Sequence, residues 1–275
     1  MKNLKSGKKI VVHLLLILGS FLMVFPFVWM VLTALKTNTE AIAVPPTFFA
    51  EVPQWANFTK IFTELNFGQF YLNTFISTAV ITVGQVFFCS MAAYAFARLE
   101  FPFKNALFII LLSVLMVPGQ IFLIPQYIIV QKLGLLDSIP ALFLPGLFSA
   151  FGTFLLRQFF LTIPKEIEEA AIIDGCSRIK IFFTIIVPLS RSALISLSIF
   201  SLLYGWNSLL WPLIINTSTE KMTLSAGLAS LSGQHSTDYP LMMAGSFLAV
   251  IPLIILFLIF QKQFIEGIAL SGSKS

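Results

Sequence analysis

Polar positions in this chain come in clusters, separated by long apolar runs. Residues 1–9 hold four lysines (Lys2, Lys5, Lys8 and Lys9), and an uncharged run over 10–35 follows. Apolar runs over 70–97, 105–130, 139–160, 190–215 and 241–260 repeat the pattern. Each has the roughly 20 apolar residues that a helix needs to cross a bilayer, so the pattern predicts six membrane-spanning helices. The run over 10–35 exceeds the roughly 7–15 apolar residues of a signal peptide and is expected to be the first span. Pro118-Gly119 and Pro125 fall inside the third run, where a kink is expected. Residues 36–70 read as a loop, with Pro45-Pro46, Pro53 and the aromatics Phe48, Phe49, Trp55 and Phe58 placed to pack on the membrane interface or on a partner. Residues 216–239 form a second polar stretch, with Glu220, Lys221, His235 and Asp238.

Composition agrees with an all-α polytopic membrane protein. Of the 275 residues, 57% are hydrophobic and 11% charged, against roughly 25% charged in a soluble domain. With the N-terminus inside, only Lys36, Lys60, Lys132 and Lys221 of the 17 basic residues fall outside. This asymmetry predicts that both termini are cytoplasmic. The net charge of +5 follows the loops and does not cluster with exposed aromatics, so no nucleic-acid partner is expected.

The chain offers little enzyme chemistry. It has no GxxxxGK[ST] phosphate loop and no HExxH zinc pattern. Cys89 falls in a span and Cys176 in a loop, which argues against a mutual disulfide. His13 and His235 stand apart, no metal site is expected, and no pair of acids lies within a span. A proton- or sodium-coupled carrier normally carries such acids, so the energy for any transport is expected to come from another chain. A self-sufficient channel or secondary carrier is the alternative.

Residues 162–188, TIPKEIEEAAIIDGCSRIKIFFTIIVP, break the apolar rhythm and carry Glu166, Glu168, Glu169 and Asp174, four of the twelve acids. Thr162 is placed to cap a helix and Pro164 to sit in its first turn. Ile167, Ala170, Ala171 and Asp174 share one small, mildly apolar face. Gly175 suits a left-handed helix stop. Ser177 then caps a second helix, whose Ile179, Phe182, Phe183 and Ile186 again share a face. A short helix held outside the bilayer between two spans is expected to dock into something.

Glu169-Ala170-Ala171, Asp174-Gly175 and the later Pro188-Leu189 resemble the EAA loop of the membrane subunits of ABC importers. Two further stretches are similar to carbohydrate-uptake permeases of the maltose type: Trp206-Asn207-Ser208-Leu209-Leu210-Trp211-Pro212, and the ending from Met243-Ala244-Gly245-Ser246 to Glu266-Gly267-Ile268. The resemblance implies a type I importer permease fold: an N-terminal helix and external segment (1–69), a core with the EAA loop (70–263) and a cytoplasmic tail (264–275). It implies that Glu169, Ala170, Ala171, Asp174, Gly175 and Pro188 couple the chain to an ATPase. The implied partners are a second permease, two ATP-binding subunits that hold ATP and magnesium, and an external sugar-binding protein. The implied location is a bacterial or archaeal cell membrane. No cofactor is expected on this chain itself.

Sugars are bound by amide hydrogen bonds and by aromatic rings stacked on their C–H faces. The candidate pathway residues are therefore Asn73, Gln85, Gln120, Gln126, Tyr204, Trp206, Asn207 and Trp211. Against this, tryptophans also anchor at membrane interfaces and amides bond neighbouring helices. The expected cargo is a sugar or oligosaccharide; a polyol or glycerol phosphate is the alternative.

Overall fold

A computed structural model of the chain describes residues 6–232 and 237–272, with side chains over 8–232 and 237–261. His235 and the side chains of the 264–275 tail, both singled out above, lie outside the described residues. The chain is helical nearly throughout. In order, the helices are α1 (Ser6–Ala34), α2 (Asn38–Ala41), α3 (Ala56–Thr63), α4 (Phe67–Arg98), α5 (Lys104–Ser113), α6 (Leu123–Lys132), α7 (Ile139–Phe143) and α8 (Ala150–Thr162). There follow α9 (Lys165–Ile173), α10 (Arg178–Ile181), α11 (Val187–Leu189), α12 (Arg191–Trp206), α13 (Leu210–Ile215), α14 (Leu224–Ala229) and α15 (Tyr239–Gly272).

Among the described residues, three helices are long and apolar enough to cross a bilayer unaided: Lys8–Ala34, Phe67–Arg98 and Tyr239–Gln261. Three further candidates are bent pairs, which brings the count to six if each pair is one span. Lys104–Met116 meets Gly119–Lys132 at 103°, a full break where only a kink was expected. Pro118 there is extended, lacks an amide hydrogen and cannot continue the ladder. Ile139–Gly146 meets Ala150–Thr162 at 43°, and Arg178–Leu189 meets Arg191–Trp206 at 80°. The run over 190–215 was expected as one span, but its helix stops at Trp206 and resumes at Leu210.

The chain divides into two compact units. The first comprises residues 1–67 and 228–252. Its α1 leaves its apolar side chains almost wholly uncovered, as suits a helix in lipid. Residues 36–70 were expected to be loop, yet they contain α2, α3 and the start of α4. Helix α2 forms because Thr37 and Glu40 close a reciprocal capping box. The segment is tied down by Asn57, whose Nδ2 donates to the carbonyls of Ala34 (2.9 Å) and Lys36 (3.1 Å). Lys36 Nζ donates to the Thr47 carbonyl and lies 4.7 Å from the centre of the Trp29 ring.

The second unit, residues 68–227 and 253–275, holds an apolar cluster at each end of the span 139–162. One cluster joins Val130, Ala141, Leu142 and Ile215. The larger one joins Cys89, Ala93, Leu156, Phe160, Ile181, Ile186 and Leu197 with their neighbours. Backbones come close there: a Cβ on Gly152 would lie 2.8 Å from Leu197 Cδ1 and 3.1 Å from Cys89 Sγ. Small residues permit such approach between spans.

At the opposite end, Asp137 organises the loop 216–222. Its Oδ1 accepts from the amides of Thr217 (3.0 Å) and Ser218 (2.9 Å), and its Oδ2 accepts from the Ser218 hydroxyl. The Ser218 hydroxyl above all, then the backbone amides and Lys221, hold the Asp137 carboxyl below its ordinary range. Its anchoring is therefore complete above the ordinary aspartate pKa of about 4. It is lost only as the pH falls through the lower folded value. Hydrogen exchange at Thr217 and Ser218, corrected for intrinsic rates, should stay slow from neutral pH to about pH 4 and rise below it. In Asp137→Ala it should be fast throughout.

Candidate functional site

The segment between α8 and α12 carries the candidate coupling residues. Helix α8 runs through Thr162, whose hydroxyl donates to the Phe159 carbonyl at 2.7 Å. Thr162 therefore belongs to the end of α8 and does not cap α9 as expected. Ile163 and Pro164 are extended, and α9 starts at Lys165 with Glu166 and Glu168 in its first turn. At its far end Gly175 adopts φ +79°. The Gly175 amide donates to the Ile172 carbonyl and the Cys176 amide to the Ala171 carbonyl, both at 2.9 Å. That pair of bonds is a Schellman stop, in which glycine carries the left-handed turn without steric cost. Ser177 then accepts from the Lys180 amide at 3.3 Å and starts α10.

Residues expected to share a face differ in burial on two helices. On α9 the buried residues are Glu168 and Ala171, while Ile167, Glu169, Ala170 and Asp174 are exposed. Beyond α10, Phe182–Ile186 is a π-helix. Its wider turn moves the buried set to Ile181, Phe182 and Ile186 and leaves Ile179 and Phe183 outside. Pro188 is exposed in α11, just ahead of the 80° bend.

The shift on α9 has an electrostatic cause. Glu168 Oε1 pairs with Arg98 Nε at 2.6 Å, and the two side chains are 5% and 3% exposed. Tyr94 donates its hydroxyl to Glu168 Oε2 at 3.2 Å, and Arg178 Nη1 lies 3.9 Å from the same oxygen. Arg98 also donates to the Ile163 carbonyl at 2.5 Å. The C-terminal end of α4 thus grips both the entry to α9 and its first turn. The EAA pattern drew attention to Glu169, and nothing in it marked Glu168. The available signal was a lone arginine at the end of a span, which needs a partner when buried.

The candidate pathway residues divide into two groups. Gln120, Gln126, Tyr204, Asn207 and Trp211 line one cavity of about 460 Å³, together with Ile81, Leu142 and Ser208. Tyr204 is 64% exposed. Trp211 Nε1 donates to the Ala141 carbonyl at 2.8 Å, so its ring is fixed. Asn73 and Trp206 do not line this cavity. Buried Asn73 donates to the carbonyls of Glu220 (2.8 Å) and Met222 (2.9 Å) and accepts from Gln69 (2.8 Å). It is a staple for the 216–222 loop, with its amide group occupied. Trp206 is buried against Tyr71, ring centres 6.1 Å apart. Gln85 donates to the Gly146 carbonyl at 2.8 Å and accepts from Ser201 at 2.6 Å, beside a neighbouring cavity of about 300 Å³ that Tyr204 also lines.

Helical spans, broken in three places and interrupted by a short helix between α8 and α12, make up the fold of a type I ABC importer permease. A solved chain from a bacterial ABC transporter involved in the import of the acidic polysaccharide alginate shares the fold, with a TM-score of 0.80. That match covers 95% of this chain and 99% of the other, at 19% identity. Residues 85–268 match the family described as binding-protein-dependent transport system inner membrane component, and the chain belongs to that family. Among its relatives is the arabinooligosaccharides transport system permease protein AraQ of Halalkalibacterium halodurans, 34% identical over 93% of this chain and 92% of the relative. The sn-glycerol-3-phosphate transport system permease protein UgpE of Pectobacterium atrosepticum is 34% identical over 96% and 97%. The AraQ protein of Bacillus subtilis is 34% identical over 98% and 97%. The chain is a transport component and not an enzyme.

Removing one partner of a buried ion pair leaves an uncompensated charge, at a cost of about 3–5 kcal/mol. Glu168→Ala and Arg98→Ala should each lower the melting temperature of the detergent-purified protein and expose the 163–177 segment to protease. The double variant Arg98→Met/Glu168→Leu, which leaves no orphaned charge, should recover most of that loss.

Proposed function

We propose that this chain is the membrane permease subunit of an ATP-driven, binding-protein-dependent importer for a sugar or oligosaccharide. It pairs with a second permease, with two ATP-binding subunits that hold ATP and magnesium, and with an external sugar-binding protein. It resides in a bacterial or archaeal cell membrane with both termini in the cytoplasm. Residues 1–69 supply an added span and external segment, 70–263 the transport core, and 264–275 a tail.

The observation that carries the coupling role is exposed apolar surface beside the Gly175 stop. Ile173 is 86% and Ile179 73% exposed, and Ile167 and Ile172 are also uncovered, on either side of the Gly175 stop. Such a patch gains about 25 cal/mol per Å² when a partner covers it. Glu169, Ala170, Asp174 and Gly175 share the uncovered side, which is where a cleft of the ATPase subunit would seat. Ala171 faces inward to the apolar cluster, so its small size serves packing within this chain. When the ATPase subunits close on ATP, α9 moves with them. The Arg98–Glu168 pair passes that displacement to α4, and the α10–α11 segment passes it to α12. The pathway then opens alternately to each side.

The 460 Å³ cavity has a lining of amides, hydroxyls and aromatic rings with no charged side chain. Such a wall suits a neutral polyhydroxy solute. Glycerol phosphate, named for several relatives, would bring an anion with no cation there to receive it.

Ile173→Glu should leave the protein folded, because the site is open. It should release the ATPase in a pull-down from the same membranes and reduce uptake at least ten-fold; normal uptake with the ATPase bound would exclude docking here. For the cargo, Tyr204→Ala should raise the KM of uptake several-fold with unchanged assembly. Asn73→Ala should leave KM unchanged while speeding hydrogen exchange over 216–222. Equal effects of the two on KM would count against the cavity.

A further inference from the structure

The end of the second unit that carries α9 also holds a cavity of about 510 Å³, which the coupling role does not use. Its wall includes Lys104 from α5, Arg157 from α8 and Lys165 from α9, with Glu100 as the acid among them. Half-buried Arg157 is firmly placed. Its Nε donates to the Phe96 carbonyl at 3.1 Å, and its guanidinium carbon lies 4.0 Å from the centre of the Phe108 ring. Among the described residues it has no carboxylate within ion-pair distance. Lys104 Nζ lies 3.2 Å from Glu100, whose side chain is 90% exposed. Water screens such a pair, so Glu100 offsets the cavity's positive charge only weakly. The first turn of α5 adds to the effect: Asn105 and Ala106 line the cavity, and no side chain caps the helix.

A fixed arginine with no carboxylate partner, sharing a cavity of ligand size with two lysines, calls for an anion. The position indicates which one. Span α4 ends at Arg98, α5 starts at Lys104, and Phe103 between them is exposed. The cavity therefore opens where apolar helix gives way to polar chain, the depth of lipid headgroups. We propose that it binds the phosphate of an anionic membrane phospholipid, with Arg157 as the inner contact and Lys104 and Lys165 as flanking contacts. Since Lys165 is the first residue of α9, such a lipid also touches the coupling helix. The inference rests on the chain's place in a membrane and is independent of ATPase docking.

The test uses the purified transporter complex in neutral detergent. It is supplied with phosphatidylglycerol, with phosphatidylcholine, or with millimolar inorganic phosphate or glycerol phosphate. Retained lipid is read by native mass spectrometry and protection by thermal melting. Phosphatidylglycerol should be retained in preference to phosphatidylcholine. Lys104→Gln and Lys165→Gln should each weaken it about five-fold, with the losses multiplying in the double variant. Arg157→Gln should abolish the preference, with its melting in phosphatidylcholine serving as the reference for the loss of the Phe96 and Phe108 contacts. Glu100→Gln should tighten phosphatidylglycerol at least two-fold, a gain that misfolding cannot imitate. Equal retention of the two lipids, or a weakening by Glu100→Gln, would overturn the proposal. So would protection by the soluble phosphates alone, which would assign the cavity to a free anion.

Discussion

The ion pair between Arg98 and Glu168 is the constraint on which the packing of the 163–177 segment depends. Two opposite charges taken out of water lose several kcal/mol of hydration each, and only close, well-shared geometry recovers it. Here the sharing is extensive. One carboxylate takes Arg98, the Tyr94 hydroxyl and the more distant Arg178, while Arg98 also holds the Ile163 carbonyl. The demand that Glu168 reach Arg98 fixes the rotation of α9 about its own axis. That rotation in turn decides which of its residues are packed inside and which are offered to a partner.

Much of the architecture was legible in the alternation of apolar runs and polar clusters, because crossing a bilayer demands length and backbone self-sufficiency above all. The Gly175 stop and the Ser177 cap were legible too, since each depends on a residue's local chemistry. The errors share a different origin. Periodicity assumed a regular α-helix through 179–186; with a π turn over 182–186, Ile181 is buried while Ile179 and Phe183 are exposed. The face of α9 was read from its small residues, but a charge in contact with a distant arginine decided it. Asn73 looked like a sugar ligand because an amide in a span invites that reading. Its three hydrogen bonds show an amide already used within the chain.

The two cavities make a chemical contrast within one unit. The one beside Tyr204 and Asn207 has a neutral lining of amides and rings; the one beside Arg157 is rich in cations. A neutral, multiply hydrogen-bonded wall permits weak and reversible contacts, which a solute that must leave again requires. A cationic wall at headgroup depth suits a ligand that stays in place.

The π turn at Phe182–Ile186 has a consequence for how this loop tolerates change. In an α-helix each residue contributes about 100° of rotation and 1.5 Å of rise. Deleting a single residue there to restore a regular helix would swing everything upstream by about a quarter turn or more relative to α12. Glu168 and the exposed isoleucines could not then both keep their bearings. Chain length in 182–186 matters as much as the buried side chains of Phe182 and Ile186. The extra residue acts as an angular spacer, setting the azimuth of the loop relative to α12.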